Sequence, residues 1–237
     1  MFETIILLTS SPEEAVLAGL LTSHNPTLSI RYGKSHADLD TLSPAVLERA
    51  RLIGFATSVI VPGSVLERLG FGAYNFHPGS PYYPGWAPAY FACYQRAPIF
   101  GATMHMMVER VDAGPIVAVD LFNVPPGSTP PQLELLAYKR LASLYWTWAK
   151  TLATQPEPLP TLPISWHGRK SSRRIYETLC EIPPDIAKDD LDRRVEAFGG
   201  GELGVRPSLT VHGRRFQYVG DAPEAAVVVA EPAKHVA

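Results

Sequence analysis

Cysteine is scarce: Cys93 and Cys180 are the only two in 237 residues, far apart and in no metal-type spacing. That argues against a disulfide-stapled scaffold or a cysteine-rich zinc site and points to a reducing cytoplasm. Charge of one sign is also lacking. The formal net charge is −2, so nothing global favours a nucleic-acid backbone or an anionic membrane. The one basic cluster, Arg169, Lys170, Arg173 and Arg174, is too small for tRNA; it reads as a solvated face or as a grip on a phosphate or pyrophosphate group. No apolar run is long enough to span a bilayer, and the opening residues lack a basic region before the short run 5–8. No repeat or low-complexity tract is present. No Gly-x-Gly-x-x-Gly follows the first strand pattern, which disfavours a nicotinamide-dependent dehydrogenase.

What is present is a strand–helix alternation. Residues 4–8, 28–32, 52–56 and 73–77 are short β-branched or aliphatic runs of strand type. Between the first two lies a helix start, with Ser11 at the N-cap, Pro12 at N1 and Glu14 at N3. A short helix at 65–69 closes on Gly70, and another is expected near 90–95. Strand character returns at 101–108 and 116–122, and Thr129-Pro130 opens a long amphipathic helix. Such alternation predicts an α/β fold, an open and mostly parallel sheet covered by helices. After a proline-rich run at 155–163, a helix at 190–198 and a hairpin at 208–218 turning at His212-Gly213 predict a small α+β module. The alanine- and valine-rich tail from residue 222 reads as a last strand or as disordered.

In an open parallel sheet, ligands bind beyond the carboxyl ends of the strands. Asn75 and His77 stand at such an end. Two apart on a strand, they share a face, and a Gly/Pro loop follows them. Asp112 sits in a turn between two later strands. An amide, an imidazole and a carboxylate suit acyl transfer to an amine: donors to hold a developing oxyanion and a carboxylate to relay protons. From spacing alone, Asn-x-His is equally read as a strand-end capping device, and Asp-x-Gly as a common turn.

Three motifs occur together in order: Tyr74-Asn75-Phe76-His77-Pro78 with Pro84-Gly85 closing its loop, Gly101-Ala102-Thr103-Met104-His105, and Val111-Asp112-Ala113-Gly114-Pro115-Ile116. Together they resemble the formyltransferase family, which includes glycinamide ribonucleotide, methionyl-tRNA and amino-sugar formyltransferases and formyltetrahydrofolate hydrolases. The resemblance is best over residues 53–152. It departs in the loop Gly79-Ser80-Pro81-Tyr82-Tyr83, where the family often has Ser-Leu-Leu and this chain has two tyrosines.

The resemblance implies a Rossmann-like catalytic domain over 1–154, a linker over 155–163 and a small C-terminal module over 164–237. It implies 10-formyltetrahydrofolate as co-substrate, with no metal. Asn75 and His77 would stabilise the oxyanion, and Asp112 would pair with His77 and move the proton. The pterin would lie against Thr57, Val59, Val61, Pro62, Val111 and Gly114. Thr103 and His105 would shape the pocket. By residue type alone, Tyr82, Tyr83 and Trp86 read either as rings that stack on the acceptor or as packing for their own loop. That acceptor would be a small-molecule amine, an amino sugar on a nucleotide being favoured. The alternatives are a formyltetrahydrofolate hydrolase and a non-catalytic folate-binding protein. The partner set holds no nucleic acid and no membrane, and a homodimer is open. A phosphate is not expected at the first strand–helix turn, where Thr9-Ser10-Ser11-Pro12-Glu13-Glu14 has no glycine and two carboxylates.

Overall fold

The structure, a computed structural model, describes residues 2–220; the alanine- and valine-rich tail lies outside the described residues. The chain divides into two compact units, the second beginning at Glu177. The proline-rich run 155–163 belongs to the first, as do residues 164–176.

The first unit is built on a six-stranded sheet of β1 (Thr4–Leu8), β2 (Ser29–Gly33), β3 (Ala50–Phe55), β4 (Ala73–His77), β5 (Ile99–Met106) and β6 (Ile116–Asn123), in the order β2-β1-β3-β4-β5-β6. Strands β1 to β4 pair in parallel, while β5 and β6 run antiparallel. Central strands β1 and β3 are buried along their whole length, as parallel strands covered on both faces must be. One face is covered by α1 (Ser11–His24) and α6 (Pro130–Thr154), whose Leu17, Leu21, Leu141, Tyr145 and Leu152 pack on Ile5, Ile53 and Phe76. The other is covered by α2 (His36–Asp40), α3 (Pro44–Leu47) and α4 (Gly63–Leu66), through Leu39, Leu47 and Val65. Helix α5 (Pro88–Tyr94) packs Ala89 and Ala92 against Leu133 and Ala137 of α6.

Several boundaries differ from the expected ones. The N-cap of α1 is Ser10, one residue early, so that Glu13 stands at N3 and accepts a hydrogen bond from the Ser10 hydroxyl. Thr129 caps α6 as expected, with Gln132 completing a reciprocal capping box. The helix placed at 65–69 starts and ends earlier, at Gly63–Leu66. Short helices α2 and α3 were not expected, because four or five residues carry too little periodicity to read.

Arg51 at the start of β3 is fully buried. Its guanidinium donates to the carbonyls of Phe71 (3.0 Å), Leu152 (2.7 Å), Pro156 (3.4 Å) and Glu157 (3.3 Å). It also stacks on Phe2 and Tyr74. The five-donor fork suits such a site, and the cation meets the carbonyl-rich C-terminal end of α6. Beyond it, Leu159 is buried in the core, and its N–H donates to the Tyr74 hydroxyl at 3.0 Å.

The second unit holds the end of α7 (Arg173–Cys180), then β7 (Glu181–Ile182), α8 (Lys188–Phe198), β8 (Ser208–Val211) and β9 (Arg214–Gln217). Strand β8 pairs in parallel with β7 and antiparallel with β9. The hairpin turns at His212-Gly213, both with positive φ (48° and 77°), the backbone of the tight two-residue turn the sequence predicts. No helix of the described residues is long and apolar enough to cross a membrane.

Candidate active site

Strand β4 delivers Asn75 and His77 to the carboxyl end of the sheet, and β5 runs antiparallel beside it. Cross-strand register sets Asn75 opposite His105 and His77 opposite Thr103. Partners in register project to the same face, so Asn75 and His105 become neighbours. The turn between β5 and β6 then brings Asp112 in. The carboxylate is held from three directions: His77 Nδ1 lies 3.4 Å from Oδ2, His105 Nε2 lies 3.2 Å from Oδ1, and the Gly85 N–H donates to Oδ2 at 2.8 Å. His77, His105 and Asp112 are all buried.

Electrostatics follow from this packing. Burial works against ionising Asp112, but His77, His105 and the Gly85 N–H outweigh it and hold the carboxyl well below the usual range. For His77, burial dominates and pushes the imidazole below its ordinary value, against the attraction of Asp112. At rest the ring is therefore held toward its neutral form. Both ring nitrogens of His77 face acceptors, Nδ1 the carboxylate and Nε2 the Tyr83 carbonyl at 2.9 Å. A neutral ring has one N–H to give. Asn75 Nδ2 lies 3.2 Å from His105 Nε2, and its buried Oδ1 has no hydrogen-bond partner among the described residues.

These groups open onto a cavity of about 470 Å³, within the range of small-molecule sites. One wall is apolar: Val59, Ile60, Val61, Leu66, Met107 and Val111. Trp86, Lys170 and Arg173 also line it. Among the described residues five non-glycines have positive φ, and three of them, Ala56, Ala87 and Asp112, line this cavity. Left-handed backbone costs such residues about 1–3 kcal/mol each and gathers at functional sites. Glycine is required at two neighbouring positions. A Cβ on Gly54 would lie 2.7 Å from Asn75 Oδ1, and one on Gly79 would lie 2.5 Å from His77 Nε2.

Of the residues singled out in the sequence, Thr57, Val59, Val61, Asn75, Trp86, His77, His105, Val111 and Asp112 come together around this cavity. Others do not line it. Thr103 is fully buried and donates to the Gly79 carbonyl at 2.7 Å, fixing the loop after His77 from behind. Tyr83 packs on Phe100 in the core, and only its carbonyl faces the site. Tyr82 is half exposed and stacks on His167. Pro62 serves as the N-cap residue of α4. Gly114 lines a second cavity of about 710 Å³, which shares Glu109, Val111, Asp112 and Lys170 with the first. Trp166, missed in the sequence because it lies just past the proline-rich run, packs on both imidazoles.

Residues 45–142 match the formyl transferase family model. Among solved structures, a sugar N-formyltransferase from Shewanella sp FDAARGOS_354 superposes with a TM-score of 0.75 at 15% identity, over 92% of this chain and 96% of that one. A 4-N formyltransferase from Francisella tularensis gives 0.68 at 16% identity, over 94% and 99%. An N-formyltransferase from Helicobacter canadensis, solved with folinic acid and dTDP-3-aminofucose, gives 0.63 at 13% identity, over 90% and 85%. Residues 45–142 of this chain thus resemble the formyl transferase family, and the fold built around them is the one these structures share.

Proposed function

We propose that this chain is an N-formyltransferase that moves the formyl group of 10-formyltetrahydrofolate to the amine of a small molecule, an amino sugar linked to a nucleotide. The observation that carries the reading is the buried Asp112, held between His77 and His105 beside Asn75, on the wall of a largely apolar cavity. The cavity fits the donor: its apolar wall of Val59, Ile60, Val61 and Val111 would hold a flat pterin, and Asn75 Oδ1 is a buried polar atom that still lacks a partner. The folate would supply the activated carbon, so no metal is called for.

The chain's own groups divide the remaining work. An ionised Asp112 accepts a proton from the attacking amine. Asn75 Nδ2 is a donor in reach of a developing oxyanion, and His77 joins it by turning the Nε2–H away from the Tyr83 carbonyl. As the new C–N bond forms and the old one breaks, the amine proton passes by way of Asp112 to the departing nitrogen, so atoms and charge balance. Because burial keeps His77 neutral at rest, its charge is available to change during the reaction.

The choice of acceptor is supported by Lys170 and Arg173 on the cavity wall, cations suited to a diphosphate, and by the nucleotide-sugar bound in the Helicobacter canadensis relative. At the first strand–helix turn, Glu14 pairs with Lys34 at 3.3 Å and Glu13 accepts from Ser10 and Tyr138, so two carboxylates stand where a phosphate would have to dock. A cytoplasmic location belongs to the same proposal. Mass spectrometry of a nucleotide-linked amino sugar incubated with the protein and 10-formyltetrahydrofolate tests it. A product one formyl group heavier is expected, and unmodified sugar with folate turned over at the same rate without it would mark a hydrolase instead.

A further inference from the structure

The segment after α6 does not merely lead out of the first unit; it returns across the site. Leu162 N–H donates to the Ile116 carbonyl at 2.7 Å, Trp166 Nε1 to the Gly114 carbonyl at 2.8 Å, and His167 N–H to the Pro81 carbonyl at 2.8 Å. Ser171 closes the set. Its N–H donates to the Pro84 carbonyl at 2.9 Å, its hydroxyl lies 2.7 Å from the Trp86 carbonyl, and its own carbonyl accepts from the Trp86 N–H at 3.3 Å. Gly85, bracketed by these bonds, is the residue whose N–H reaches the Asp112 carboxylate. A Cβ at position 85 would lie 2.3 Å from the Ser171 carbonyl, so only glycine permits the approach.

Asp112 is therefore tied to this strap on two sides. Through Gly85 it is linked to Ser171, and through the Gly114 carbonyl, two residues along its own turn, to Trp166. The turn needs such ties, since Asp112 has φ of 48°, a conformation that costs a non-glycine residue and persists only where the surroundings enforce it. The Trp166 ring also packs at 5.6 Å on His77 and 5.0 Å on His105, centroid to centroid.

We infer that Trp166 is a positioning residue for the Asp112–His77–His105 cluster: its N–H fixes the turn that presents the carboxylate, and its ring shuts water out of the two imidazoles. Ser171 is the second anchor, acting through Gly85. The inference rests on the proposed formyl transfer for its kinetic consequence but not for its structural one. The charged or titratable groups around His77 are Asp112 and His105, with Glu109, Lys170 and Arg173 on the cavity wall. Substitution at 166 adds and removes no charge among them.

Two variants separate the roles. Trp166→Phe keeps a ring and loses the N–H, whereas Trp166→Ala loses both. In Trp166→Phe, kcat is expected to fall roughly two- to tenfold, the effect of one hydrogen bond, with KM for the folate unchanged. Imidazole NMR titration in the absence of substrate gives a readout independent of turnover. His77 should keep its depressed midpoint in Trp166→Phe and rise toward the ordinary histidine value in Trp166→Ala as water enters. If no variant transferred formyl, the wild type included, the proposed reaction would fail while the NMR shift still tested the positioning role. A folded Trp166→Ala protein with an unmoved His77 midpoint would overturn the inference, as would one that lost only thermal stability.

Discussion

His105 grips Asp112 on the oxygen that His77 leaves free. Its Nε2 lies 3.2 Å from Oδ1, nearer than the 3.4 Å from His77 Nδ1 to Oδ2. The carboxylate thus serves two imidazoles, and His105 is in turn placed by Asn75 and by the Met106 carbonyl, 2.8 Å from its Nδ1. His105→Asn should weaken the hold on Asp112 without emptying the apolar wall. Steady-state kinetics should show kcat reduced about tenfold or more, as for a charge-assisted bond of about 1.5–3 kcal/mol, with little change in KM for the folate. An unchanged kcat would remove His105 from the cluster.

Asn75 and His77 carry a larger share. Loss of one oxyanion donor typically costs about 100- to 1,000-fold in turnover. Asn75→Ala and His77→Ala should each fall in that range and still bind folate, as read by fluorescence or calorimetric titration. Binding lost together with turnover would assign these residues to the pterin site instead.

The same burial makes stability depend on pH. The folded-state pKa of His77 is depressed below the unfolded value of about 6.5, and that of Asp112 below about 3.9. In both cases the unfolded chain takes up protons first. The stabilisation is therefore complete above the unfolded pKa and is lost as pH falls toward the folded one. Tm should decline as pH is lowered from about 7.5 to about 5, chiefly through His77. The slope should be shallower in His77→Gln. A Tm that rose over this interval would contradict the assigned direction.

Arg51 is expected to be a stability residue with no part in chemistry. Arg51→Met removes the guanidinium from four carbonyls and strands them in the interior. Leaving a buried acceptor unsatisfied typically costs about 1–3 kcal/mol, which urea denaturation would report. A loss below about 1 kcal/mol would mean that water replaces the donor.

Legibility in the sequence followed the range of the contacts. Asn75 and His77 are two residues apart on one strand, so their shared face is read directly, whereas Asp112 stands out only through the three motifs taken together, its turn alone being a common one. The four parallel strands announce themselves because each is a short apolar run. The strap was read as a linker because proline-rich composition looks alike whether the chain runs free or is pinned by bonds to Ile116, Gly114 and Pro84. Those partners are about 45 to 90 positions away, and no periodicity encodes them. Tyr82 and Tyr83 looked like ring-stacking groups by composition alone, yet one is held by Phe100 and the other by His167.

The central claim is formyl transfer to an amine, and the stoichiometry of tetrahydrofolate release measures it most directly. The protein is mixed with 10-formyltetrahydrofolate, with and without a nucleotide-linked amino sugar, and tetrahydrofolate is followed by absorbance. The account predicts release that requires the sugar, matches formylated product one for one, and disappears in Asp112→Asn. Release at equal rate without any amine, or transfer undiminished in Asp112→Asn, would contradict it.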